Sequence, residues 1–323
     1  MDEINQSARA TQVSRKRNSN VRESSGIWRR WSQPMVIVFN PVAGRRRALL
    51  LWRVLDVLVE HGIRLDVVRT TARGDAERIA REACLAGESL VVAAGGDGTI
   101  SEVANGVLGT GSALGVIPLG TANVLAHEIG LSFSPRAIAT ALAFRRTRPL
   151  WPGVATTPDG QRLFVQMLGA GFDAEVVHRL WTPLKAACGR GAYVMQAARE
   201  AIRYEFPPIR VHIEGSAMEA ASLIVSNGRL YGGPYTLAPR ASPHTPGFWV
   251  TLFECSGPLR ALGYGAMLPL QALARSPGVR QLPARWVEIR GNRPVPVQTD
   301  GDDAGVTPIV VANASEPIPL VVS

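Results

Sequence analysis

The chain has 323 residues, 46% of them hydrophobic and 19% charged, and a net charge of +9. That length makes two domains the natural expectation, and the composition supplies ample core, which excludes a fibrous or wholly disordered chain. The charge is almost all arginine, with Lys16 and Lys185 the only lysines, and it favours anionic partners: nucleic acid, acidic lipid or phosphorylated small molecules. Aromatics are only 6% and do not interleave with a basic stripe, so no nucleic-acid partner is expected. Cys84, Cys188 and Cys255 are scattered without metal spacing and suit a reducing compartment. The N-terminus lacks an apolar leader, and no run of about 18 apolar residues occurs. A cytoplasmic protein is expected, peripheral at the inner face of the membrane.

Residues 1–33 read as a disordered basic tail ending in Trp28-Arg29-Arg30-Trp31, a composition suited to an acidic membrane surface. Pro34 opens the fold. A strand over 35–39 ends in Asn40-Pro41, and a helix is expected from about Ala48 to His61, with Gly62 as its stop. Strand 65–69 ends at Thr70-Thr71, and a helix follows from Gly74-Asp75 to about Ala86. The apolar run Leu90–Ala94 fills a buried strand and leads into Gly95, Gly96, Asp97, Gly98 and Thr99. Behind these, Ile100, Val103, Ala104 and Val107 recur at helical spacing. Strand 113–118 runs into Leu119-Gly120-Thr121-Ala122-Asn123 and a helix to Ile129, and Ser134-Pro135 caps a helix to about Arg146. Alternating strands and helices over 34–150 predict a doubly wound parallel sheet, the α/β half of the chain.

From about Trp151 the rhythm changes. Strands are expected over 162–168, 172–177, 209–214, 220–226, 248–254, 286–290, 295–299 and 308–311, divided by glycine and proline, as in a β-sandwich over 151–323. Helices are expected over about 191–204 and 258–275. The second is apolar around its whole circumference and reads as core, with the wall of an acyl-chain cavity as the alternative.

The stretch 91–105 carries the chemistry. Glycines let backbone N–H groups approach an anion closely, and the following helix aims its unpaired N–H groups at the same place. A phosphate is the obvious guest, and an ordinary strand-to-helix turn is the alternative. Asp97 cannot itself hold a phosphate; a metal ion, a ribose hydroxyl or a positioning hydrogen bond would give it a role. Asn40, Thr70, Gly95–Thr99 and Thr121 all fall at the carboxyl ends of parallel strands, where such sheets bind ligands. Four loops thus converge on one crevice. No Walker A loop is present, and Gly109-Thr110-Gly111 precedes a strand, the wrong context for a dinucleotide fingerprint.

The string Gly95–Thr99 resembles the nucleotide-binding signature shared by diacylglycerol, sphingosine, ceramide and NAD kinases. Asn40–Gly44, Thr99–Gly106, Pro118–Ala126 and Val225–Gly233 with Ala238-Pro239 resemble, in order, four further blocks of the diacylglycerol kinase catalytic domain family, which includes bacterial lipid kinases. The resemblance implies an NAD-kinase-like α/β domain holding ATP and a β-sandwich domain carrying a lipid site. It assigns nucleotide contacts to Asn40, Thr70, Gly95, Gly96, Asp97, Gly98, Thr99, Ile100, Ser101, Glu102, Gly120, Thr121 and Asn123. Asp97 would also hold Mg²⁺. The family's general base is a glutamate in a D-G-E motif; here the segment reads Asp300-Gly301-Asp302-Asp303, which puts Asp302 in that role with Asp303 as a substitute. Many bacterial members bind a structural Mg²⁺ through aspartates after the A-P block. Residues 241–247 hold no carboxylate, so that site is expected to be absent. Glu175, after Gly171-Phe172-Asp173, reads as structural on a strand. The expected activity is phosphoryl transfer from ATP to a lipid hydroxyl, diacylglycerol first and ceramide or sphingoid lipids next. A catalytically weak lipid-binding protein on the same fold and an NAD kinase are the alternatives. A homodimer is left open.

Overall fold

The computed structural model describes residues 34–43, 47–158, 160–179 and 190–323. The tail expected to dock on membrane lies outside the described residues. Chain order begins β1 (Met35–Phe39), α1 (Ala48–Glu60), β2 (Leu65–Arg69), α2 (Asp75–Leu85), β3 (Leu90–Gly95), α3 (Asp97–Val107), β4 (Ala113–Pro118), α4 (Val124–Glu128), α5 (Pro135–Phe144) and β5 (Thr147–Leu150). It continues β6 (Gly153–Thr157), β7 (Gly160–Phe164), β8 (Met167–Gly171), α6 (Phe172–His178), α7 (Arg190–Arg203), β9 (Ile209–Ile213), β10 (Ser216–Ala220), β11 (Ser222–Ser226), β12 (Leu230–Tyr231) and β13 (Tyr235–Thr236). The last elements are β14 (Phe248–Phe253), α8 (Pro258–Met267), a 3₁₀ turn at Leu273–Arg275, β15 (Val279–Ala284), β16 (Trp286–Gly291), β17 (Pro296–Thr299), β18 (Asp302–Val306), β19 (Ile309–Asn313) and β20 (Ile318–Val321).

The first sheet has the order β2-β1-β3-β4-β20-β5, with β1 to β4 parallel. β3 and β4 are buried along their whole length, as central parallel strands covered on both faces must be. The C-terminal strand β20 returns to this sheet, parallel to β4 and antiparallel to β5, so the last residues complete the α/β half rather than the sandwich. Two antiparallel sheets, β10-β9-β16-β19-β6-β7 and β15-β14-β11-β8-β17-β18, pack face to face over a core that includes Phe164, Leu168, Val211, Val225, Val250 and Val311.

Two expectations are corrected. Residues 172–177 form a helix, α6, not a strand. Gly171 turns the chain at φ +95°, and Phe172 then stacks on Phe206 with ring centroids 5.4 Å apart. The alternation of apolar and polar residues over five positions, 172–176, is too short to separate the two periods. Glu175 accordingly sits on a helix, paired with Arg179 one turn on. The segment 258–275 is not one core helix: α8 ends at Met267 and buries none of its residues, and Leu273 in the 3₁₀ turn is the part of it that enters a buried cluster.

Candidate active site

The crevice is assembled first from backbone. Leu119 N–H and Gly120 N–H donate to Gly95 O at 2.8 and 3.2 Å, which draws the loop after β4 onto the loop after β3. A Cβ on Gly120 would lie 2.5 Å from Gly96 Cα, so only glycine permits this approach. Asn40 ties in the third loop. Its Oδ1 accepts from Val42 and Ala43 N–H, and its Nδ2 donates to Thr99 Oγ1 at 3.0 Å. Thr70 N–H donates to Phe39 O, bringing in the fourth. Helix α3 starts at Asp97 after an extended Gly96 and presents the first-turn N–H groups of Asp97, Gly98 and Thr99, which a helix leaves without intrahelical partners.

Several side chains expected to contact nucleotide are otherwise engaged. Val124 N–H donates to Asp97 Oδ1 at 2.7 Å, so Asp97 caps α4 from the neighbouring loop. Burial pushes its carboxyl upward, and the N–H groups of Val124, Leu125 and Asn123 oppose that. Glu102 accepts from Ala76 N–H at 3.2 Å and caps α2. The Ile100 side chain is fully buried, and its N–H bonds Gly96 O inside the helix. Asn123 is fully buried, takes a left-handed conformation at φ 48° and donates to Gly120 O. Ser101 Oγ donates to Leu163 O at 3.4 Å, across to the sandwich. These residues shape the crevice. Thr121 and the glycine backbone remain open to a guest.

The sandwich brings the second carboxylate. Asp300 and Gly301 are the two tip residues of the β17–β18 hairpin, with φ of 51° and 83°, both positive as a type I′ turn requires. Asp300 points back into the protein, where its carboxylate accepts N–H groups of Val165, Gln166 and Met167 at 2.7–3.0 Å. Desolvation dominates and pushes its pKa up to about 6, against those three donors, and the charge of Asp97 adds to the rise. Gln298 takes Gly301 N–H on Oε1 and donates to Asp173 Oδ2, both at 2.8 Å; Tyr231 holds the other oxygen of Asp173. The turn so braced presents Asp302. Its Oδ2 lies 3.2 Å from where a Cβ on Gly98 would stand. Two motifs 204 positions apart in the chain therefore meet. Arg73, on the loop before α2, reaches Asp302 Oδ2 at 3.7 Å. A half-buried pair ties α4 to the segment before β12: Arg229 Nε donates to Glu128 Oε1 at 2.9 Å and Leu230 N–H to its Oε2.

Asp303 faces elsewhere. It accepts Gly305 N–H at 3.0 Å and faces His178 Nδ1 at 3.3 Å. Burial raises its pKa, but the Gly305 and His178 hydrogen bonds and the Arg162 charge outweigh it and leave the group lowered, a poor proton acceptor. In residues 241–247, His244 Nδ1 bonds Pro149 O at 2.8 Å and Trp151 N–H donates to Pro243 O. Sequence reading missed Arg73, Asp300, Asp173 and Gln298. The D-G pair signalled the turn at Asp300; nothing local signalled the other three.

Residues 34–153 match the family model described as the diacylglycerol kinase catalytic domain, and 166–322 that of the YegS C-terminal NAD kinase beta sandwich-like domain. A probable lipid kinase YegS-like of Pseudomonas putida is 33% identical over 256 residues, 76% of this chain and 81% of that one. The chain belongs to the diacylglycerol kinase catalytic domain family. A probable lipid kinase YegS-like of Xanthomonas campestris is 32% identical over 78% of this chain and 84% of its own. The crystal structure of a putative diacylglycerol kinase from Bacillus anthracis superposes with a TM-score of 0.74 over 90% of this chain and 95% of that one; at 19% identity it speaks for the fold alone. Membership makes the chain a lipid kinase. Among the described residues, no helix is long and apolar enough to cross a membrane.

Proposed function

We propose that the protein transfers the γ-phosphoryl group of ATP to a lipid hydroxyl, diacylglycerol giving phosphatidic acid, at an acidic membrane surface. The observation that carries this reading is the contact between Asp302 and Gly98: a carboxylate stands beside the first-turn N–H groups of α3, where a terminal phosphate would rest. Phosphoryl transfer needs positioning and charge neutralisation more than covalent help. The N–H groups of Gly98 and Thr99 orient the γ-phosphate, and Arg73 turns from Asp302 to its oxygens. Asp302 accepts the proton of the lipid hydroxyl as that oxygen bonds to the γ-phosphorus. The bond to the β-phosphate bridging oxygen breaks, and ADP leaves with that electron pair.

Among the described residues, no three metal-ligating side chains cluster. The second carboxylate oxygen of Asp97 would be the protein's share in holding an Mg²⁺ brought by the nucleotide. When bound, the ion supplies neutralisation of phosphate charge. Asp302 is one methylene shorter than a glutamate would be, and its Oδ2 stands beside Gly98.

Labelled ATP with a panel of diacylglycerol, ceramide, sphingoid base and NAD tests the reading. Label in phosphatidic acid alone is expected. Label in NAD, or binding of lipid without transfer, overturns it.

A further inference from the structure

Helix α8 is apolar on both sides and packs on only one. Tyr264, Met267 and Leu268 lie against the cluster that holds Phe253, Leu273 and Ile224. At 100° per residue, Leu259, Leu262 and Ala266 fall on the opposite face. Leu259 is 85% exposed, Leu262 43%, and Leu270 just beyond the helix 68%. Helix α7 packs against α8 and exposes Met195 and Ile202, seven residues apart on one face, with Arg199 between them. Soluble surfaces rarely leave apolar side chains so grouped without a partner.

The charge near the patch is mostly positive. From Cys255 to Arg280 the chain has Arg260, Arg275 and Arg280 and no acidic residue, and Glu254 just before is the carboxylate whose charge reaches Tyr264 of α8. Among the described residues none of the three arginines is drawn into a salt bridge. Leucines flanked by unpaired arginines are what an anionic bilayer selects: the apolar side chains enter the acyl boundary and the guanidinium groups meet headgroup phosphates. The cluster beneath α8 also leads somewhere. It runs through Met167 and Ile224 to Val124, whose N–H is held by Asp97 of the glycine loop. One helix thus joins the outer surface to the crevice.

We infer that the outer face of α8, with α7 beside it, is the surface on which this protein sits on anionic lipid bilayers, and that acyl chains reach the crevice along its inner face. The inference rests on the lipid-kinase reading for its purpose, but docking can be measured without turnover. The test uses the full chain and a variant carrying Leu259→Ser, Leu262→Ser and Leu270→Ser. Both are sedimented with phosphatidylglycerol–phosphatidylcholine vesicles and with pure phosphatidylcholine vesicles, without nucleotide. Transfer is assayed separately on short-chain diacylglycerol dispersed in detergent. Each leucine removed from an apolar phase is worth roughly a tenfold change in partition, so loss of vesicle binding by at least about tenfold is expected, with transfer to dispersed lipid kept. Arg260→Glu with Arg280→Glu should weaken binding only to the anionic vesicles.

Unchanged sedimentation of the leucine variant overturns the inference. So does a wild-type dimer that the leucine variant turns monomeric with its vesicle binding intact, which would make a second copy the occupant. Loss of binding on deleting residues 1–33, with the α8 variant unaffected, would assign docking to the tail. An equal loss of transfer to dispersed lipid would make α8 a wall of the acyl site only. Absence of transfer by the wild type on every lipid, with leucine-dependent vesicle binding intact, would sink the kinase reading and leave the docking surface standing.

Discussion

On the sheet side of the crevice, backbone meets backbone: Gly95, Gly96 and Gly120 let two loops touch, and Asn40 stitches in a third. On the sandwich side, a hairpin tip is held by side chains, with Asp300 on three N–H groups and Gln298 on a fourth. The two walls therefore fail differently. A wall made of close backbone tolerates changed side chains but not added volume. A wall braced by side chains tolerates volume but not the loss of a charge or an acceptor.

The largest effect should come where the walls meet. Asp302→Asn keeps shape and removes the proposed proton acceptor, so kcat should fall by about 10²–10⁴, the usual worth of a positioned base. The Michaelis constant for ATP should stay near wild type, because in the proposed site the phosphate rests on N–H groups. Steady-state kinetics with both substrates varied reads this. A full-activity variant would mean that another group takes the proton.

Gly120→Ala tests the backbone wall. Its Cβ would stand 2.5 Å from Gly96 Cα, a backbone atom that cannot swing away, and 2.9 Å from the buried Asn123 Oδ1. The loops must part by about 1 Å, which costs roughly 100-fold in transfer rate and weakens ATP binding as well. The split between constants distinguishes it from Asp302→Asn. Thermal unfolding should move little, since the loops are at the surface of the sheet edge.

Asp300→Asn tests the other wall. An amide nitrogen cannot accept from a backbone N–H, so one of three bonds is replaced by a clash of donors, at about 1–3 kcal/mol of stability. The pH dependence has a definite sign. Asp300 has a pKa of about 6 in the folded chain, above an ordinary carboxylate, so the folded state binds this proton more tightly than the unfolded one. Its contribution makes the protein more stable as the pH falls from 7 through 6 toward 4, and the Asn variant should lose that slope. Thermal midpoints of both chains across that range check it; parallel profiles would remove Asp300 as the titrating group.

These walls were unequally legible in the sequence. Parallel strands and their glycine loops are written in consecutive residues: an apolar run, a turn, a helical period. The elements from β1 to α5 are therefore placed to within a residue or two, and Gly95–Thr99 lies where the loops meet; β5 and β20, which complete that sheet from outside the alternating pattern, are not foreseen. What each side chain does there was not written locally. Asp97, Glu102 and Asn123 sit in the right motif, but each commits one polar atom to Val124, Ala76 or Gly120, and only the meeting of distant loops reveals it. The same holds for Arg73 and for the brace formed by Asp173 and Gln298. α6 was misread because five alternating residues fit a strand as well as a helix. The outer face of α8 was misread because an all-round apolar helix reads as core unless one knows what packs on it.

The smallest effect should come from Asp303, and it sharpens the comparison most. Sequence alone makes Asp302 and Asp303 interchangeable acids at one turn. In β18 they are successive strand residues, and successive side chains leave a sheet on opposite faces. Asp302 goes to Gly98 and the crevice; Asp303 goes to His178 and Gly305. The Asp303–His178 pair is half exposed and worth little. Asp303→Asn should change kcat by no more than about fivefold, the scale of an exposed ion pair, and His178→Ala should do the same. A loss as deep as that of Asp302→Asn would mean that the turn rotates by one residue when lipid binds, placing the second acid in the crevice.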